Sequence, residues 1–340
     1  MRIDPVRLKL KELLDANARF DLAARGTTNH CPMALLALAE MGASAERLQA
    51  FFDRWEREYA LRAPPVDVVI AREDWSEHLG NAAAFGALRV FFLEWITEVG
   101  SVPVIVAVLN DVPFAPATQA FHALIRLAYG IEAAHSGEIA SGLAALVCSH
   151  LPVDLQFDPS RAAESVEAGF EHVIDAMGGG AVEGSSITSR LRVVASDVRF
   201  RQAVLAPPAS TCLLDDLARA TIAAYWRSRN FTILHTVTAT HAARILFAQL
   251  PGEMAKRLLP GLWGAMCAAY VTVGRQVGVG MDVVPESEVS WSDVRRLAVA
   301  ADDDHVIKMA YTCLCEYRRQ PSAVYLATAA RLVGLDLGQR

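Results

Sequence analysis

The stretch SAERLQAFFDRWEREYALR, residues 44–62, shows most clearly which kind of fold this chain adopts. Large apolar side chains recur in it three or four positions apart, at Leu48, Phe51, Phe52, Trp55 and Tyr59. An α-helix turns by about 100° per residue, so this spacing places them on one helical face and leaves the charged residues on the other. Ser44 is a favourable N-terminal cap, and Pro64 and Pro65 end the pattern. The stretch predicts an amphipathic helix from residue 44 to residue 62.

Most of the remaining chain has the same helical character. Apolar side chains also recur at helical spacing in four further segments, residues 81–100, 117–150, 213–228 and 261–274. Asn29 or Thr28 can cap a further helix that has Pro32 in its first turn and that ends at Gly42. The segment VPVIVAVLND, residues 102–111, is rich in β-branched residues, yet its context favours a short buried helix.

These patterns together predict the architecture. Alternating strand patterns are nearly absent, and we find no internal repeat. The chain is therefore predicted to be all-α, a single large helical domain over residues 1–340. The segment DAMGGGAVEGSSITSR, residues 175–190, has the densest cluster of glycine and serine and is predicted to form a mobile loop.

Composition limits the classes of function. A hydrophobic share of 53% with 21% charged residues indicates a compact folded protein, and a net charge of −6 argues against a nucleic-acid partner. The first twenty residues have charges spread through them, so they predict neither a signal peptide nor a membrane span. The six cysteines include no C-x-x-C pair, which favours reduced thiols and a cytoplasmic protein without a membrane partner.

The stretch DDDHVIKMAYTCLCEY, residues 302–317, raises a chemical question. His305 and Lys308 lie about 60° apart on one face of the predicted helix, and that face is otherwise apolar. A lysine that points inward is uncommon. Lys308 could extend to the surface or pair with Asp304 one turn earlier. Alternatively, its neutral amine could react with carbon dioxide, and the resulting carbamate would bind a metal as a carboxylate does.

Histidines supply the other candidate ligands. Five of them lie in or beside apolar helices: His30, His122, His235, His241 and His305. One such histidine is more often a hydrogen-bonded core residue, but five on four helices favour a metal site between facing helices. Imidazole suits iron, copper, nickel or zinc, and no H-E-x-x-H motif is present to indicate a zinc protease.

Four stretches of the sequence resemble motifs of a known family. They are TTNHCPMALLAL (27–38), FHALIRLAYGIE (121–132), LHTVTATHAARIL (234–246) and DDHVIKMAY (303–311). In this order they resemble the four histidine-bearing motifs of the questin oxidase-like family, whose fungal members act on anthraquinones in polyketide pathways. The resemblance extends over nearly the whole chain.

The resemblance implies an α-helical oxygenase that holds one non-haem Fe²⁺ through four histidines and a carboxylated lysine. Matched motif by motif, the implied ligands are His30, His122, His235, His305 and Lys308. The implied partners are dioxygen and an aromatic, anthraquinone-like small molecule, into which oxygen is inserted with cleavage of a ring carbon–carbon bond.

Two further residues of these motifs are predicted to act at the site. His241 follows His235 by six residues and lies about 120° away around a straight helix, so both cannot easily face one metal. We expect His241 to contact the substrate or a ligand residue. Arg126, one turn after His122, either binds a phenolate or carboxylate of the substrate or pairs with Glu132.

Other functions remain open on the sequence alone. Stable binding of NADPH is not expected, because the G-x-G at Gly278–Gly280 follows no clear strand and lacks the third glycine of a dinucleotide site. If Lys308 stays an ordinary amine, the chain could be a zinc-dependent hydrolase or a non-catalytic helical metal-binding protein. A helical interaction scaffold without metal is the third alternative.

Overall fold

The structure, a computed structural model, describes residues 4–64, 66, 68–278, 284 and 288–335. Pro65 and Gly280, on which two of the sequence arguments partly rest, lie outside these residues. The described residues form sixteen α-helices and three short β-strands. In chain order they are α1 (Pro5–Asn17), β1 (Phe20–Ala24), β2 (Thr27–Thr28), α2 (Cys31–Met41), α3 (Ala45–Glu58), β3 (Ala60–Arg62), α4 (Phe85–Val99), α5 (Ser101–Asp111), α6 (His122–Glu132), α7 (Ser136–Cys148), α8 (Val166–Ala176), α9 (Ile187–Ser196), α10 (Val198–Ala203), α11 (Leu213–Ser228), α12 (Phe231–Phe247), α13 (Gly252–Val273), α14 (Trp291–Ala300), α15 (Asp304–Arg319) and α16 (Ala323–Leu332).

The predominantly all-α fold is confirmed. The β-branched segment 102–111 lies within α5, as predicted, and Val104, Ile105, Val108 and Leu109 are buried while Val102 is exposed. The backbone N–H of Cys31 donates to the Asn29 side chain near the start of α2, and Gly42 ends that helix with a left-handed φ of 98°. None of the described helices combines the length and the apolar content that crossing a bilayer requires.

The helix predicted for residues 44–62 ends earlier than expected. Its last turn is replaced by β3, which pairs antiparallel with β1 in a three-stranded sheet of order β2-β1-β3. The sheet supplies the hydrogen-bond partners that another helical turn would have supplied. For example, the backbone N–H of Arg25 donates to the Tyr59 carbonyl at 2.9 Å. Because β2 leads directly into α2, this sheet fixes where α2 begins.

The chain forms two compact units. The first comprises Met1–Val104, Ile125–Cys148 and Val284–Arg340, and the second comprises Ile105–Leu124 and Ser149–Val283. In the first unit α2 is buried along almost its whole length and packs against α1, α3, α14 and α15, while α4 packs on α7. In the second unit α12 is the buried helix and packs between α11 and α13. A single domain over residues 1–340 stays a prediction.

The segment predicted to be a mobile loop belongs to the second unit. Only residues 177–186 lie outside helices, because α8 extends to Ala176 and α9 begins at Ile187. This connection is held near the end of α13, where the backbone N–H of Arg275 donates to the Gly179 carbonyl at 3.0 Å and that of Val182 to the Thr272 carbonyl at 3.1 Å. Its mobility stays a prediction.

Candidate metal centre

His30 is placed by the connection between β2 and α2. The preceding residue, Asn29, accepts the Cys31 N–H through its side-chain oxygen at 3.2 Å and donates to the Asn17 side chain at 3.2 Å. Asn17 and Asn29 are both buried, so this polar contact fixes the start of α2 against α1. His30 is thereby held in the interior at the N-terminal end of α2, with 1% of its surface exposed.

The start of α15 directs two consecutive aspartates to different places. Asp303 is the exposed N-cap, and its carboxylate accepts the backbone N–H of His305 at 2.8 Å. Asp304, the first helical residue, instead has a largely buried side chain. One turn later, Lys308 is also buried, with 3% of its surface exposed. The interpretation in which Lys308 reaches the surface is therefore wrong.

Two imidazoles and one lysine of the first unit lie close to a single carboxylate oxygen. Asp304 Oδ1 lies 2.8 Å from His30 Nδ1, 2.9 Å from His305 Nδ1 and 3.6 Å from Lys308 Nζ. The two imidazole rings are nearly perpendicular, with centroids 4.7 Å apart. We call these four residues, His30, Asp304, His305 and Lys308, the carboxylate–imidazole cluster. The pairing of Lys308 with Asp304, one of the sequence alternatives, is present in it.

Burial and charge set the protonation of this cluster. Burial lowers the pKa of His30 to about 4; the Lys308 charge acts in the same direction and Asp304 opposes it. Burial also lowers the pKa of the Lys308 ammonium, against the effect of Asp304. Burial alone would raise the pKa of Asp304, but Lys308 and His30 hold it well below its usual range. At neutral pH, Asp304 is therefore an ionised acceptor and His30 a neutral ring.

His122, in the second unit, follows an unusual turn. Gln119, Ala120 and Phe121 have φ angles of 53°, 54° and 72°, a left-handed conformation that non-glycine residues rarely adopt even singly. The turn brings the Gln119 carbonyl to 2.6 Å from His122 Nδ1. Gln119 is anchored in turn by its side-chain N–H, which donates to the Ser149 hydroxyl at 2.9 Å. Backbone strain of this kind concentrates at functional sites.

His235 is the second imidazole of this unit. It is 2% exposed on α12, and its Nδ1 lies 2.7 Å from the Phe231 carbonyl of the preceding turn. Its ring contacts that of His122, with centroids 4.7 Å apart and an interplanar angle of 66°. We call His122 and His235 the imidazole pair. His241 is also buried on α12, and its predicted role stays a prediction.

Arg126 forms a buried ion pair, with a partner other than the one predicted. Its Nε donates to Glu138 Oε2 at 2.8 Å and its Nη2 to Glu138 Oε1 at 3.2 Å. Both side chains are only 4% exposed. Glu132, the partner considered from the sequence, accepts the Tyr311 hydroxyl instead. Arg126 thus has a structural role, and its predicted contact with the substrate stays a prediction.

Each unit, taken by itself, brings some of the predicted ligands into contact. His30, His305 and Lys308 meet at Asp304, and His122 contacts His235. Sequence reasoning missed that Asp304 contacts both histidines of its group. An aspartate immediately before a histidine at a helix start was the available signal.

Comparison with known proteins identifies the family of this chain. A family model described as Questin oxidase-like matches residues 27–228 and 220–313. These segments contain every predicted metal ligand. The chain belongs to the questin oxidase-like family. Its membership confirms the resemblance of the four motifs and implies an oxidoreductase. A comparison with curated proteins gave no match.

Proposed function

We propose that this member of the questin oxidase-like family is a non-haem iron oxygenase. Its substrate would be an aromatic polyketide of the anthraquinone kind, oxidised with insertion of oxygen and cleavage of a ring carbon–carbon bond. The proposed ligands of Fe²⁺ are His30, His122, His235, His305 and a carbamate on Lys308. One observation carries the proposal: in each of these four imidazoles, Nδ1 lies within hydrogen-bond distance of an oxygen.

The tautomer of each ring follows from that oxygen. A backbone carbonyl or an ionised carboxylate can only accept, so Nδ1 must carry the proton. In the neutral ring the lone pair then resides on Nε2, which becomes the atom able to bind a metal. Metal-binding histidines generally donate their other N–H to a carboxylate or a carbonyl in this way. Four nitrogen ligands and one carbamate oxygen suit iron.

The protein would contribute orientation and a dry environment. Asp304 fixes two of the rings, and the carbonyls of Gln119 and Phe231 fix the other two. Bound Fe²⁺ would allow triplet dioxygen to react with an electron-rich aromatic molecule through one-electron steps. The buried ligand groups exclude water from the reaction.

Lys308 can enter this set because burial favours its neutral amine. The neutral nitrogen adds to carbon dioxide, forming a carbon–nitrogen bond, releasing one proton and creating an anionic oxygen ligand. The ion pair with Asp304 favours the alternative, in which Lys308 keeps its positive charge. A zinc-dependent hydrolase, in which Lys308 stays an ordinary amine, is the second candidate function.

Metal analysis of the purified full chain separates the candidates. We expect about one iron per chain. A chelator should remove the iron and abolish oxygen consumption, and reloading with iron should restore oxygen consumption. Zinc at the same stoichiometry would instead support the hydrolase. A chain that binds neither metal would contradict both and leave a helical interaction protein.

Asp304→Asn is expected to weaken metal binding about 10- to 100-fold, because a neutral amide oxygen accepts from the two histidines more weakly than the ionised carboxylate does and leaves each ring a poorer metal ligand. The measurement is a competition titration with a chromophoric chelator. The control is Asp303→Ser, which removes a neighbouring exposed carboxylate and keeps a capping side chain. Unchanged affinity in Asp304→Asn, or an equal loss in Asp303→Ser, would contradict the role given to Asp304.

A further inference from the structure

A cavity of about 420 Å³ lies within the first unit, apart from the carboxylate–imidazole cluster. Residues from α1, α4 and the first turn of α7 line it, and none of them is a proposed metal ligand. One part of the wall is apolar, with Leu10, Leu14 and Leu93. Another part carries the cationic side chains of Arg7, Lys11 and Arg89. A cavity of this size and mixed lining is typical of small-molecule sites.

Two of the three cations are already neutralised by the protein. Arg7 pairs with Glu40 at 2.6 Å, and Lys11 pairs with Asp15 at 2.7 Å. His135, also in the lining, has its own hydrogen-bond partners within the protein. Its Nδ1 accepts the backbone N–H of Glu138 at 3.1 Å, so the proton resides on Nε2, which lies 2.9 Å from the Asp15 carboxylate.

Arg89 is the cation whose charge is not balanced. Among the residues that the structure describes, its guanidinium makes no hydrogen bond and no ion pair. The nearby carboxylate, Glu138, uses both oxygens to accept from Arg126, and Oε1 also accepts from Asn17 at 3.2 Å. Burial, reinforced by the charge of Arg126, lowers the pKa of Arg89. Two guanidinium groups therefore share one carboxylate beside the cavity.

We propose that this cavity binds a small organic carboxylate. The carboxylate would accept two hydrogen bonds from the Arg89 guanidinium, a geometry that arginine favours. The apolar body of the ligand would pack against Leu10, Leu14 and Leu93, which line the same space. An inorganic anion would balance the charge but leave this apolar wall exposed, so the mixed lining selects an organic acid.

The test is calorimetric titration of the purified full chain with 1-naphthoate. We expect saturable binding that weakens at least tenfold in Arg89→Gln and remains unchanged in Arg296→Gln, which removes an exposed arginine of α14 in the same unit. The neutral analogue 1-naphthamide is expected to bind at least tenfold more weakly than the acid. A second variant, Leu93→Trp, obstructs the cavity from a partly exposed position without changing charge and is also expected to weaken binding.

Three results would overturn the assignment. Equal affinity of Arg89→Gln and the unaltered chain would remove Arg89 from the site. Equal affinity for the amide would show that charge plays no part. Inorganic phosphate that binds as tightly as 1-naphthoate would replace the organic acid with a simple anion. None of these results depends on the proposed iron chemistry, because Lys308 and the histidines are unchanged in every variant.

Discussion

Lys308→Ala is expected to reduce the iron content well below one per chain and to abolish oxygen consumption. The substitution removes the proposed carbamate oxygen ligand and leaves a small void beside Asp304. Iron content is measured by elemental analysis and oxygen uptake with an electrode. Lys256→Ala, which removes an exposed lysine of α13, is the control and should change neither quantity.

Electrostatics link the carbamate to the metal. Lys308 Nζ lies 3.6 Å from the Asp304 carboxylate. Conversion to a carbamate places an anion beside that carboxylate instead, and two like charges about 4 Å apart repel by about 4 kcal/mol at an effective dielectric constant of 20. A bound cation would offset this repulsion. Carboxylation and metal loading should therefore occur together.

This linkage can be measured directly. Protein loaded with diamagnetic zinc in ¹³C-labelled bicarbonate should show a carbamate carbon by NMR, and the metal-free protein should not. The signal should be missing from Lys308→Ala and present in Lys256→Ala. A short carboxylate such as propionate, added to Lys308→Ala, should restore part of the iron occupancy. Full occupancy in Lys308→Ala without any addition would remove Lys308 from the ligand set.

The helical fold could be predicted from sequence because amphipathic spacing is a strong local signal over ten or more residues. The spacing in residues 44–58 corresponds to α3. The sheet could not be predicted in the same way. β2 and β3 have two and three residues, too few to show an alternating pattern, and their pairing with β1 is a tertiary effect.

Some residues of the candidate site could also be predicted from the sequence, and others could not. The histidines and Lys308 could be selected because they are chemically distinctive and interrupt apolar helices. For Asp304 the sequence offers only a weak signal, its position directly before His305, because the three consecutive aspartates look alike until the helix start turns Asp303 outward and Asp304 inward. The left-handed turn before His122 was equally hidden, since residues 119–121 contain neither glycine nor asparagine to mark a positive φ.

Glu138→Gln is expected to destabilise the fold by about 3–5 kcal/mol, because it leaves the Arg126 guanidinium buried without its counter-charge. Arg126→Met should cost less. The orphaned carboxylate would still accept from Asn17, and the Arg89 charge lies close enough to stabilise it. The measurement is the urea midpoint of the full chain. Glu253→Gln, which breaks an exposed ion pair, is the control and should leave the midpoint unchanged.

The double variant Arg126→Met with Glu138→Met tests whether Arg126 also binds the substrate, in addition to its ion pair with Glu138. Apolar side chains of similar length replace both charges, so most of the lost stability should return. If the role of Arg126 is structural, oxygen consumption should return with stability. If Arg126 also binds a phenolate or carboxylate of the substrate, stability should return while KM stays raised. Equal losses of stability in Glu138→Gln and Arg126→Met would contradict the electrostatic influence assigned to Arg89.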